Sequence, residues 1–185
     1  MNNRGILFVL ALLCSLTLVS MNRSPKATFI ENYAPLAIQE MEEYGIPASI
    51  KLAQAAIETN WGTSPLAKKA NNYFGIKCKE NWPGDTFKHI DDDTDKKGNL
   101  IPSCFRAYPD IPTSFKDHSS FLANRIYYKN LFLLAKDDYI GWAKGLKKAG
   151  YATDPEYHVK LINLIEQFDL YKYDQHVMVT KPKRN

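Results

Sequence analysis

Residues 46–64 read IPASIKLAQAAIETNWGTS, and the rest of the chain is organised around this stretch. Pro47 suits a first helical turn, where its missing N–H costs no hydrogen bond. Ile50, Ala53 and Ile57 recur at helical spacing and make one apolar stripe. The helix is expected to end near Asn60 to Gly62. Glu58 lies one position off the stripe in the last turn, with Gln54 and Ala55 before it on the same side. The small alanines leave open space in front of its carboxylate. The C-terminal end of a helix disfavours a negative charge, and Trp61 adds an apolar neighbour. Both predict a carboxyl that holds its proton near neutral pH, which is what cleavage of a glycosidic bond requires. A plain surface glutamate fits the same local pattern, so the wider chain has to decide.

Upstream, a helical pattern over 28–44 runs through Phe29, Tyr33, Leu36, Ala37, Glu40 and Met41 and stops at Gly45. Pro35 within it marks either a break or the start of a second helix. Downstream, 86–90 and 101–105 are short strand candidates around a polar turn with Lys97, Gly98 and Asn99. Helical periodicity returns over 112–124, with Phe115, His118, Phe121 and Leu122 on one face. Two more helices are expected at about 137–149 and 155–171, separated by a turn at Gly150 to Thr153. The fold class is α+β, mostly α: a helical domain with a small β-hairpin lobe that forms one wall of a cleft.

Residues 1–20 read as a leader. Arg4 supplies a positive start, and residues 6–19 are an uncharged apolar run, short for a membrane span and suited to a signal peptide. An uncleaved anchor is the alternative, and the residues around Cys14 fit a lipidation site poorly. The expected location is therefore exported, in the periplasm or cell envelope. Removing the leader leaves Cys78 and Cys104, an even pair that is a candidate disulfide, with two reduced thiols as the alternative. The formal net charge of +4 resides in Arg4, Lys181, Lys183 and Arg184. The rest is neutral, and residues 172–185 read as a basic, flexible tail. No basic stripe interleaves with the aromatics, so nucleic acid is not an expected partner. His89, His118, His158 and His176 show no metal-ligand spacing, and no phosphate loop or serine-nucleophile motif is present. No cofactor or metal is expected, and the chain is expected to be a monomer. A run of acids, Asp91, Asp92 and Asp93, lies in the lobe without the spacing of a calcium loop. It offers a second carboxylate opposite Glu58, the general plan of glycoside hydrolysis.

Four ordered blocks carry a family resemblance. The first is residues 46–64. The second is Asn71-Asn72-Tyr73-Phe74-Gly75-Ile76-Lys77. The third is Cys104 to Tyr108 with Ser114 to His118, and the fourth is residues 149–157, AGYATDPEY. Together they resemble glycoside hydrolase family 73, the β-N-acetylglucosaminidases of flagellar and autolysin type, over residues 28–171. The resemblance implies a lysozyme-like helical domain and hydrolysis of the β-1,4 bond between N-acetylglucosamine and N-acetylmuramic acid in peptidoglycan strands. It places Glu58 on the catalytic acid and Tyr151 on the active-site tyrosine. Gln54, Trp61, Asn72, Tyr73 and Phe74 become the expected substrate-binding residues. Many members carry a second glutamate in the lobe, where this chain has only aspartates. Counting from Trp82 favours Asp93, and counting back from Phe105 favours Asp92. The substrate's own acetamido group as nucleophile, assisted by Tyr151, would relax the need for a close second acid. A muramidase or lytic transglycosylase, and a silent wall-binding module, are the rival readings.

Overall fold

The computed structural model describes residues 23–79 and 82–178. The expected leader, residues 1–20, and the end of the expected basic tail lie outside the described residues. Helix α1 spans Pro25–Tyr44, with Ser24 capping its first turn by accepting from the Ala27 N–H. It is one continuous helix, so Pro35 neither ends it nor starts another. Pro35 lies on the exposed face, where water can take the Glu31 carbonyl that the missing N–H leaves unpaired. Gly45, at φ 83°, closes the helix by donating to the Met41 carbonyl.

Helix α2, Ala48–Glu58, is the centre of the molecule. Every residue from Ala48 to Ala56 is buried, including Ser49, Lys51 and Gln54. It packs against α1, against α5 (Tyr139–Lys148) and α6 (Tyr157–Gln167), and against the last 3₁₀ segment, Leu170–Met178. That segment corrects the expectation of a free tail from residue 172. Asp174 in it is buried and accepts from both the backbone N–H (2.8 Å) and hydroxyl (2.6 Å) of Ser49. Pro47 offers no side-chain cap to α2. The Asp174 carboxylate supplies that cap from 125 residues away in sequence, at the positive end of the helix dipole.

The short helix α3, Pro65–Ala70, has Ser64 as its cap and Asn71 in the left-handed conformation at its end. Strands β1 (Thr86–Thr94) and β2 (Leu100–Arg106) form an antiparallel hairpin. Both run past the boundaries expected from sequence. Between the pairs Ile90–Pro102 and Thr94–Leu100 the register shifts, because three residues of β1 face one of β2. Cys78 and Cys104 are joined as a disulfide, and the Cys78 N–H donates to the Cys104 carbonyl at 2.8 Å. Phe105 packs with Leu66 and Ala70, seating the lobe on α3. Helix α4, Ile111–Ala123, follows, capped by Asp110. A 3₁₀ segment, Ile126–Leu133, leads to α5; it buries Tyr128 and Leu131 and had no distinct sequence pattern. The expected α+β class, mostly helical with one hairpin lobe, is the observed one.

Candidate active site

Glu58 is the last residue of α2, and the turn after it keeps its face open. The Thr59 hydroxyl donates back to the Ala55 carbonyl, and Thr59 Oγ1 accepts from the Gly62 N–H. Asn60, Trp61 and Gly62 all have positive φ, so the chain reverses and moves away. Glu58 is left partly buried on the wall of a cleft of about 330 Å³. Phe74, Gly75, Lys77, Asp91, Asp92, Phe121, Arg125 and Tyr151 share that cleft.

The Tyr157 hydroxyl donates to Glu58 Oε1 at 3.1 Å, and Gln54 Nε2 donates to the Tyr157 oxygen at 3.2 Å. With Oε1 already accepting, a proton on the carboxyl belongs on Oε2. A Cβ at Gly75 would stand 3.6 Å from Oε2, and Gly75 has φ 63°, so a glycine there keeps backbone close and side chain absent. Burial pushes the Glu58 carboxyl up to about 7; the Tyr157 hydrogen bond opposes this and the Asp91 charge adds to it. Burial and the Glu58 charge also raise the Tyr157 phenol, which stays a donor.

The three lobe aspartates converge on one cation. Lys77 Nζ lies 3.1 Å from Asp91, 2.7 Å from Asp92 and 2.9 Å from Asp93. On a regular strand, alternate side chains point to opposite faces; the register shift in β1 lets three successive ones reach the same lysine. Burial disfavours the Lys77 charge, but the three carboxylates outweigh it and raise its pKa. Lys77 in turn holds Asp92 below the usual carboxylate range. Asp93 is also lowered, first by the Ser103 hydroxyl (2.5 Å) and then by Lys77. Asp92 lines the cleft, and so does Asp91, the first acid of the run; Asp93 does not.

Tyr151 lines the cleft, but its hydroxyl pairs with His118 Nε2 at 3.0 Å rather than with Glu58. Its ring stacks on Tyr157 at 5.6 Å between centroids. Of the five expected substrate-binding residues, only Phe74 is on the cleft wall. Gln54 is fully buried and reaches Glu58 only through Tyr157. The Asn72 side chain is consumed by the Ile76 and Arg106 carbonyls and the Phe74 and Ile76 N–H groups, which shape the loop into the lobe. Tyr73 is buried with its hydroxyl 2.6 Å from that of Tyr33. Trp61 turns edge-on to Phe29 and Phe168, under Lys26, because the left-handed turn directs it to the α1 side. Tyr157 was visible in the AGYATDPEY block but had been given no role. Its position in the first turn of α6 is what brings it to Glu58.

The model of the glucosaminidase family, described as mannosyl-glycoprotein endo-beta-N-acetylglucosaminidase, matches residues 34–170. The chain belongs to this family. Every cleft residue named above lies within the match. The chain is 36% identical over 153 residues to the exo-glucosaminidase LytG of Bacillus subtilis, covering 80% of this chain and 53% of that one. It is 33% identical to the peptidoglycan hydrolase FlgJ of Vibrio cholerae, covering 78% and 45% respectively. It thus spans about half the length of these curated relatives. Among solved structures, the catalytic domain of the autolysin Auto from Listeria monocytogenes superposes with a TM-score of 0.72 at 29% identity, covering 94% of this chain and 98% of that one. A mutant peptidoglycan hydrolase from Sphingomonas sp. A1 gives 0.68 at 30% identity, covering 80% and 98%. In this glucosaminidase-family domain no described helix is long and apolar enough to cross a membrane.

Proposed function

We propose that the protein is a peptidoglycan hydrolase that cuts the β-1,4 bond between N-acetylglucosamine and N-acetylmuramic acid, with Glu58 as general acid. The observation that carries this is a half-buried carboxyl on a cleft wall, poised near pH 7, in a chain whose relatives are named as peptidoglycan hydrolases and glucosaminidases. An acid so placed protonates the leaving oxygen at neutral pH. The lobe supports substrate assistance over a second catalytic carboxylate. Asp92 is clasped by Lys77 and held to a low pKa, which makes it a poor base for activating water. The acetamido oxygen of the substrate then attacks the anomeric carbon, with Tyr151 on the cleft wall beside it. The leader over residues 1–20 agrees with action outside the cytoplasm, at the envelope.

The test is digestion of purified peptidoglycan by the protein and by Glu58→Gln, with mass spectrometry of the products. Fragments with N-acetylglucosamine at the reducing end, lost in the variant, are expected. N-acetylmuramic acid or an anhydro sugar at that end would instead identify a muramidase or lytic transglycosylase. Binding without any cleavage would make the protein a wall-binding module.

A further inference from the structure

Two fully buried residues not used so far, Lys51 and His118, form a chain of contacts that ends on Tyr151 in the cleft. We propose that Lys51 and His118 are positioning residues that hold the Tyr151 hydroxyl as a hydrogen-bond donor toward the bound glycan. This rests on the reading of the Glu58 cleft as the site of glycan cleavage.

The argument is one of donors and acceptors. Lys51 lies on α2, seven residues before Glu58. Its Nζ donates to the Phe115 carbonyl at 2.9 Å and contacts His118 Nδ1 at 2.8 Å. It also stands over the faces of Phe74 (4.4 Å) and Phe115 (5.3 Å). Burial pulls the Lys51 pKa down to about 7, against the charges of Glu40 on α1 and Asp117 on α4. A carbonyl oxygen and two ring faces are all electron-rich, so the neighbours that touch Nζ favour the ammonium. An ammonium has no lone pair, so His118 Nδ1 must accept. The ring proton then sits on Nε2, since burial and the adjacent Lys51 keep the imidazole neutral. Phe74 stacks on the imidazole at 3.9 Å and 2°, which holds the ring in this plane. Nε2–H therefore donates to the Tyr151 oxygen, 3.0 Å away. The phenol proton is left over. Among the described residues the Tyr151 hydroxyl has no other hydrogen-bond partner, so its proton is available to a sugar or acetamido oxygen in the cleft. With the opposite tautomer, Tyr151 would spend its proton on His118 and show the substrate only lone pairs.

The chain runs parallel to the one that orients Glu58. There, Gln54 on α2 donates to Tyr157, which donates to the acid. Lys51 and Gln54 are one turn apart on the same buried helix, so α2 sets the polarity of both chains.

Two measurements test the proposal. The first is the imidazole ¹⁵N spectrum of the ¹⁵N-histidine-labelled protein, in which a neutral His118 with its proton on Nε2 is expected. A proton on Nδ1 overturns the proposal whether or not the protein cleaves peptidoglycan. The second is a double-mutant cycle on peptide-bearing glycan strands. His118→Leu and Lys51→Met should each lower kcat by about tenfold, the scale of one hydrogen bond, with little change in KM. In a Tyr151→Phe background neither should lower it further. His118→Gln keeps an acceptor for Lys51 and an N–H for Tyr151, and should recover most of the rate. Equal losses with and without the Tyr151 hydroxyl would reduce the pair to a packing role. If the leucine and methionine variants do not fold, the tautomer in the unmodified protein decides. Wild-type protein that leaves glycan strands intact would instead refute the proposed activity, and the spectrum would still report on the chain.

Discussion

At the scale of single residues, Glu58 meets two opposed demands. Its burial suits an acid and costs the fold whenever the carboxyl ionises. Its pKa rises from about 4.5 unfolded to about 7 folded, so across that window the native state keeps a proton that the unfolded chain has lost. Its contribution to stability is fully present below about pH 4.5 and is lost as pH rises to 7. Glu58→Gln should therefore be the more stable protein at pH 8, by up to about 3 kcal/mol, and should match the wild type below pH 4.5 in urea melts. The same variant should lose about two orders of magnitude or more in turnover. In the wild type, kcat/KM should fall as pH rises above about 7, where the acid loses its proton. Tyr157 tests the same carboxyl from outside. Its hydrogen bond lowers the Glu58 pKa, so Tyr157→Phe should move this alkaline limb to higher pH while reducing the maximum rate. A pH–rate profile of the variant checks both, and an unmoved limb would detach Tyr157 from the acid.

At the scale of elements, helix α2 depends on a residue from the far end of the chain. Its own N-terminus has proline and no side-chain cap, and the buried Asp174 fills that place through two bonds to Ser49. Asp174→Ala should cost about 1–3 kcal/mol, because it leaves the buried Ser49 N–H and hydroxyl unpaired. Asp174→Asn, which keeps an acceptor, should cost less. Truncation after Tyr171 should resemble the alanine variant in a chemical melt, although it removes only what reads as tail. The hairpin shows the opposite balance. Its turn at Asp95 to Asn99 is built locally, with the Asp95 carboxylate accepting from the N–H groups of Lys97 and Asn99 and from the Asn99 amide.

At the scale of the whole molecule, the cleft exists only because the lobe is held against the helices. Three devices do this. Phe105 packs onto α3. Arg106 pairs with Asp117 of α4, whose carboxylate also accepts from the Tyr108 hydroxyl at 2.7 Å. The Cys78–Cys104 disulfide closes the lobe at its base, across a sequence separation of 26. In the chain-entropy view, a loop of this size is worth about 3.5 kcal/mol. Reduction, or Cys78→Ser with Cys104→Ser, should lower unfolding stability by about that amount in denaturant titrations with and without dithiothreitol. Glycan cleavage should fall as well, since Lys77 and the Asp91–Asp93 run hang on the same lobe. Activity unchanged by reduction would mean that packing alone holds the cleft.

The helix that ends in Glu58, the hairpin and the later helices were legible in residues 46–64, 86–106 and 111–167, because periodicity and turn residues are local properties. Glu58 was a candidate there too, but its place in a last turn beside small residues also fits a plain surface glutamate, and it was the four ordered blocks of the wider chain that weighed for it. Only the tertiary structure decided which tyrosine touches it, since the partner, Tyr157, lies 99 residues away and Tyr151 is taken by His118. It also moved Trp61, Asn72 and Tyr73 from the expected binding surface into packing, and drew Asp174 out of the supposed tail. The physical reason lies in α2. A periodic pattern tells which face of a helix is apolar but not how many neighbours surround it. Here α1, α5, α6 and the C-terminal segment enclose it on every side. Lys51 and Gln54, the latter an expected substrate contact, are thereby buried. There each must find a partner, and those partners lead to Tyr151 and Glu58.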